Sequence, residues 1–186
     1  MRNQKVDQEN IDQSLFSLFS EFGYDGASME LMSKATGLKK ASLYHRFPKG
    51  KMEMAQHVLK IVEQGIQTNI VSILTDEKVK PTVRLKKAIQ AIDQFYNGGA
   101  NNCLLRTLTI GADAAEFKEG VTHCFALLTN AFTTIAVELG STANEGEKKA
   151  KNIVMLIQGS LVLAGATRDK SYFKNCLSEI PAFIGA

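Results

Sequence analysis

The sequence predicts an all-α protein, and three observations carry that prediction. Apolar residues recur at three- and four-residue spacing along most of the chain, and no run alternates with the period of two that a half-buried strand shows. Glycines and short charged loops interrupt the apolar stripes at helix-sized intervals. At 186 residues, 45% hydrophobic and 22% charged, the chain has the composition of a well-cored protein rather than a disordered one.

The first helix is expected over residues 10–22. Ile11, Leu15, Leu18, Phe19 and Phe22 form its apolar stripe with Phe16 beside it, and Gly23 ends it. Ser28 follows a Tyr-Asp-Gly-Ala turn and suits an N-cap whose hydroxyl accepts an orphan backbone N–H. Leu31 stands where a capping box would need Glu or Gln, so that cap is only half of a box. Met29 and Met32 then face inward, with Ser33 and Thr36 on the small side, until Gly37 stops the helix where a positive φ costs least. A third helix follows the turn, with Leu38, Leu43 and Phe47 inward. Lys39, Lys40, Ala41, Ser42, Tyr44 and His45 are left outward. Two short helices joined at a glycine, the second opening on paired lysines, are the pattern of a helix-turn-helix, and these outward residues are what a major groove would meet.

Charge distribution supports that reading more than the net charge of +3 does. Lys34, Lys39, Lys40, Arg46, Lys49, Lys51 and Lys60 stand against Glu53 alone, whereas the first 33 residues set Arg2 and Lys5 against six acids. Such clustering suits a phosphate-facing patch.

After Pro48 a long stripe from Met54 through Ile73 predicts one extended helix, rising about 1.5 Å per residue. Asp76 to Pro81 forms a charged loop, with Pro81 suited to a first helical turn. Further helical segments are expected over 85–96, 104–110, 116–139, 144–167 and 171–184, with Asn144 and Glu147 placed as a capping box. In the 144–167 helix Ile153, Val154, Leu156, Ile157, Leu161, Val162 and Leu163 cover almost the whole circumference, and Gly159, Ala164 and Gly165 permit close approach. Such a helix is buried within its own chain on several sides or pairs with a copy of itself.

The most apolar run, 153–166, carries Gln158 and Ser160 and is shorter than the roughly 20 residues a bilayer requires, so no membrane span is expected. The N-terminus lacks the pattern of a secretory signal, which points to the cytoplasm. Cys103, Cys124 and Cys176 are odd in number and widely spaced, which suits reduced thiols. His123 beside Cys124 has no companion ligands at metal-binding spacing, so neither a metal nor a cofactor is expected.

The string Gly37-Leu38-Lys39-Lys40-Ala41-Ser42-Leu43-Tyr44-His45-Arg46-Phe47-Pro48 resembles the TetR family of bacterial transcriptional regulators, whose corresponding segment reads Gly-Val-Ser-Lys-Gly-Thr-Leu-Tyr-x-Tyr-Phe. Lys39 replaces the usual capping Ser, Ala41 replaces Gly, and the stretch from Phe47 to Lys51 is one residue longer than the common form. The resemblance implies a three-helix DNA-binding domain over 1–48 and a helical effector-binding and dimerisation domain over 49–186. It places Ser28, Lys39, Lys40, Ala41, Ser42, Tyr44, His45 and Lys51 on DNA, Lys51 where the next helix begins. It implies a ligand cavity drawing on Phe95, Cys103, Arg106, Phe125, Leu128 and Gln158, with Tyr96, Leu104, Leu108 and Phe132 as further walls and Asn102 and His123 as further polar groups. Leu156, Gly159, Leu163, Gly165, Phe173 and Leu177 would form a homodimer interface. The function so implied is a repressor released from a palindromic operator by a small molecule, not an enzyme. The competing readings are a ligand-blind DNA-architectural protein and a helical enzyme using Cys103 or Cys124 with His123.

Overall fold

A computed structural model describes residues 7–186; Arg2 and Lys5, counted in the charge balance, lie outside the described residues. Every regular element among the described residues is helical. The chain packs into two compact units, one formed by residues up to Val62 together with Leu104–Val121, the other by Glu63–Cys103 and Thr122–Ala186. The expected boundary after residue 48 falls inside the first unit.

In the first unit, α1 (Gln8–Gly26) is interrupted at Gly23, whose φ of 66° and ψ of −173° break the helix where the sequence predicted its end. Ile11, Leu15, Leu18 and Phe19 are buried as expected, but Phe22, the last residue before the break, is 47% exposed. Next come α2 (Met29–Thr36) and α3 (Lys40–Arg46), followed by α4 (Lys51–Ile66). The core of this unit is completed by residues distant in sequence: α7 (Leu104–Thr107) and a 3-10 turn at Ala114–Phe117. Thr107 Oγ1 donates to Phe19 O at 3.1 Å, the ring of fully buried Phe117 lies 5.2 Å from that of Tyr24, and the Asp25 carboxylate accepts the Ala112 N–H. Leu104 and Leu108, expected in a ligand cavity, are core residues here, and the Arg106 side chain is exposed on the same unit. Segment 104–121 is too short and interrupted to announce its partner through periodicity.

In the second unit the long stripe after Met54 is helical as expected but not uniformly α. It passes from α4 through a π turn, Gln67–Val71, into α5 (Ser72–Leu74). There follow α6 (Pro81–Phe95), with Pro81 in its first turn, a 3-10 turn at Asn97–Gly99, α8 (Lys118–Glu138), α9 (Ala143–Thr167) and α10 (Ser171–Ile184). Arg84 of α6 is 1% exposed and satisfies the end of α5: Nη1 donates to Leu74 O at 2.7 Å, while Nη2 pairs with Glu138 of α8. A guanidinium fits this site because its planar fork serves a carbonyl and a carboxylate at once.

Two expectations about the later helices change. The capping box of α9 is Thr142 with Glu145, not Asn144 with Glu147: Glu145 N donates to Thr142 Oγ1 and Thr142 N to Glu145 Oε2. Glu147 instead pairs with Lys151 one turn on, at 2.6 Å. By length and composition, Ala114–Glu138 and Ala143–Thr167 are each long and apolar enough to cross a membrane, contrary to the expectation drawn from the 153–166 run. Phe132 and Ile135 of the first of these segments and Ile153, Ile157 and Leu161 of the other are buried in the second unit.

Candidate nucleic-acid interface and ligand cavity

The helix-turn-helix is built from its buried side chains outward. Ser28 caps α2 as predicted, its hydroxyl accepting the Leu31 N–H at 3.2 Å, so this oxygen is engaged within the protein. Gly37 ends α2 at φ 69°. The turn is tied on both sides, since Thr36 Oγ1 donates to Met32 O and accepts the Leu38 N–H, while Ser33 Oγ donates to Leu38 O. The sequence marks Ser33 and Thr36 only as small residues; their hydroxyls in the last turn before Gly37 are the signal for these bonds.

Helix α3 begins at Lys40, with Lys39 as an N-cap that supplies no side-chain hydrogen bond. The usual capping hydroxyl is absent, and the backbone bonds from Ser42 N and Leu43 N to Lys39 O start the helix instead. Leu43 is fully buried and Phe47 is 6% exposed, so α3 is anchored along one edge, each anchor contributing about 1.5–3 kcal/mol through burial. Lys39, Lys40, Ala41, Ser42, Tyr44 and His45 are all exposed, as the pattern required.

Tyr44 is held by an unexpected neighbour. Gly50, at φ 66°, lies against its ring so closely that a Cβ there would sit 3.0 Å from Tyr44 Cε1. The additional residue between Phe47 and Lys51 therefore belongs to a tight turn that seats the tyrosine. Lys51 differs from expectation. Its ammonium donates to Tyr24 O at 3.0 Å and lies 4.2 Å from the centre of the Tyr24 ring, so in this conformation it serves the interior of the unit. Arg46, by contrast, is exposed and donates to Gln8 Oε1 at 2.8 Å.

The second unit contains a cavity of about 530 Å³, within the range of small-molecule sites. Phe95, Leu128 and Gln158 line it as expected, together with Tyr96 and Phe132. The other expected residues do not. Cys103 and Phe125 stand outside the wall, Arg106 belongs to the first unit, and His123 is exposed with Nε2 3.5 Å from Glu63 Oε1. The sequence reading also missed the contribution of Gly65 through Ile73, including the π turn, which supplies Thr68, Asn69 and Ile70. π turns are rare and frequently occur at functional sites. The only signal here was the polar Gln67-Thr68-Asn69 interruption of an otherwise apolar stripe.

Tyr96 connects the cavity wall to Cys103. Its hydroxyl donates to Cys103 Sγ at 3.4 Å, and burial first, then the neighbouring thiol, pushes its pKa well above the ordinary phenol range. Gln158 beside the phenol opposes that shift, while its Oε1 is buried with no hydrogen-bond partner. Burial pushes the Cys124 thiol up to about 11, opposite to the lowered pKa that activates a nucleophile.

Outside the cavity, α9 divides into two faces. Ile153, Ile157, Leu161 and Ala164 are buried, whereas Met155, Leu156, Val162 and Leu163 are exposed, Met155 at 62%. Gly159 lies on the open side, where a Cβ would meet nothing within 4 Å. Tyr172 and Phe183 of α10 are exposed too, whereas Phe173 and Leu177 are buried at 0% and 5%. Phe173 and Leu177 are therefore core residues of this unit and leave the expected interface set. Gly165 has a local neighbour as well, since a Cβ there would lie 3.3 Å from Asn102 Oδ1.

Residues 15–58 match the family described as bacterial regulatory proteins, tetR family. The chain is similar to YxaF, an uncharacterized HTH-type transcriptional regulator of Bacillus subtilis (strain 168), at 26% identity over 189 residues covering 95% of this chain and 94% of the relative. Over 51 residues, 27% of each chain, it is 39% identical to IcaR, the HTH-type negative transcriptional regulator of the biofilm operon icaADBC in Staphylococcus aureus (strain Newman). Among solved structures, a TetR transcriptional regulator from Legionella pneumophila superposes with a TM-score of 0.80 at 21% identity, covering 97% of this chain and 98% of that one. Regulatory protein TetR from Rhodobacter sphaeroides superposes at 0.79 and 15% identity over the same shares. These structural likenesses are of fold.

Proposed function

We infer that the chain is a regulator of the TetR family, that it represses transcription in the cytoplasm by binding a palindromic operator as a homodimer, and that a small molecule releases it. The observation that carries this reading is the outward row on α3, Lys39, Lys40, Ala41, Ser42, Tyr44 and His45, fixed from behind by fully buried Leu43. Lysine can reach guanine acceptors, alanine can touch a thymine methyl, and serine can bond either base edge.

A twofold operator requires two heads about 34–36 Å apart, one turn of duplex. The exposed Met155, Leu156, Val162 and Leu163 of α9, with Tyr172 and Phe183 of α10, form the surface that a second copy would cover. The small molecule would occupy the cavity of the second unit. To release DNA it must bind the non-DNA state more tightly, since equal affinity for both states shifts neither.

Selection of DNA fragments on the purified protein, followed by footprinting, tests the reading. The expected result is a protected inverted repeat with half-sites about one turn apart. The double substitution Leu156→Glu and Leu163→Glu should yield a folded monomer in sedimentation that loses the operator. An asymmetric footprint, or a dimer that survives both charges, would count against the homodimer through this face.

A further inference from the structure

Arg46 ends α3 one turn after Ser42, so its side chain leaves the helix on the face that carries that outward residue. It is exposed, and among the described residues no carboxylate lies within ion-pair distance of it. The guanidinium is held instead by a neutral acceptor, Gln8 Oε1, at 2.8 Å from Nη1. Its charge is oriented without being neutralised.

Gln8 is itself held. Its Nε2 donates to Asp12 Oδ1 at 2.8 Å, one turn along α1, and the same oxygen lies 2.9 Å from Nε2 of His57 on α4. Arginine only donates and an ionised carboxylate only accepts, so a single orientation of the Gln8 amide serves both neighbours, and His57 carries a proton on Nε2. The direction of every bond is thus fixed. The His57 ring also packs against Phe47, the residue after Arg46, with ring centres 5.3 Å apart. The end of α3 is therefore tied to His57 by two routes, one through Phe47 and one through Gln8 and Asp12. Gln8 and Arg46 are exposed and the Asp12 and His57 side chains are 23% and 35% exposed, so bonds of this kind add little to folding stability. Their effect falls on orientation.

We propose that Gln8 and Asp12 are positioning residues for DNA binding: they hold the Arg46 guanidinium in place for one phosphate of the duplex. The assignment rests on the reading of α3 as the helix that meets DNA. A free arginine side chain loses rotamer freedom when it docks, whereas this one is restrained before DNA arrives. An arginine in a direct ion pair would have to give up its carboxylate to reach a phosphate. One held by an amide oxygen keeps further N–H donors for it.

Salt titrations of binding to the selected operator and to an unrelated duplex of equal length test this. Arg46→Ala should weaken both and flatten the log K against log salt slope by about 0.9. Gln8→Ala should weaken both by about two- to thirteen-fold with the slope retained, because the phosphate contact still forms but its side chain must now be ordered on binding. On an Arg46→Ala background the Gln8→Ala loss should vanish. Asp12→Asn and Asp12→Ala both remove the charge, but only asparagine keeps an acceptor for Gln8, so Asp12→Asn should bind more tightly than Asp12→Ala. Urea unfolding of Gln8→Ala should match the unsubstituted protein. An unchanged affinity in Gln8→Ala, a Gln8→Ala loss that persists without Arg46, an unaltered slope in Arg46→Ala, or equal binding of the two Asp12 variants would each overturn the proposal while leaving DNA binding standing. An unsubstituted protein that binds neither duplex would overturn the DNA reading and this assignment together.

Discussion

Gly50 and Gly37 share a backbone conformation and differ in what surrounds them, which makes their alanine variants a matched pair. Gly37 has φ 69° and open space where a Cβ would go; Gly50 has φ 66° and the Tyr44 ring 3.0 Å from that point. Either substitution places an L side chain in the left-handed region, a cost of about 1–2 kcal/mol. Only Gly50→Ala also displaces Tyr44. The tyrosine is 49% exposed, so its ring yields by rotating outward rather than by distorting the backbone. If Tyr44 makes the neutral phosphate hydrogen bond implied by the family resemblance, its loss is worth about 0.5–1.5 kcal/mol, or roughly two- to thirteen-fold in affinity.

Urea unfolding should therefore find the two variants similarly destabilised, while gel-shift titration separates them. Gly37→Ala should bind the operator at close to the original affinity and Gly50→Ala more weakly, with the same loss on unrelated DNA. On a Tyr44→Phe background the Gly50→Ala loss should vanish, because both substitutions remove one contact. Equal operator affinities for the two glycine variants would refute the link between the turn and the tyrosine.

Lys51→Met should cost about 1–3 kcal/mol in urea unfolding by removing the charged donor from Tyr24 O, with the salt dependence of DNA binding unchanged; a log–log slope flattened by about 0.9 would instead place its ammonium on a phosphate. Lys40→Ala should lose about 1–3 kcal/mol at one operator position and relax preference there, whereas equal losses on operator and random DNA would make it a backbone contact. The Thr142 hydroxyl and backbone N–H hold the Glu145 carboxyl below its ordinary range, so the cap is complete above that range and weakens as pH falls through the lowered pKa. Thr142→Ala should return the Glu145 titration, followed by NMR, toward an ordinary carboxylate; an unmoved midpoint would show that another group sets it.

Local features of the head were legible because they are encoded within a turn or two of chain. The stop at Gly23, the Ser28 cap, the Gly37 turn and the outward row from Lys39 to His45 follow from side-chain period, capping chemistry and glycine φ. The capping box on α9 was misplaced by two residues because Thr142–Glu145 and Asn144–Glu147 both have the required spacing, and only the actual start of the helix distinguishes them.

By itself the sequence determined an all-helical chain, the short helix after Gly37 and the residues it turns outward, since each depends on periodicity and short-range backbone chemistry. Tertiary structure decided which apolar surfaces meet. It placed Leu104–Val121 beneath the head, gave the cavity the π turn and Gln158 but not Cys103 or Arg106, and buried Phe173 and Leu177 while leaving Leu156 and Leu163 exposed. Hydrophobic burial is non-directional, so an apolar stripe records that a face must be covered without recording by what. That choice depends on the close packing of segments far apart in the chain, and no local pattern carries it.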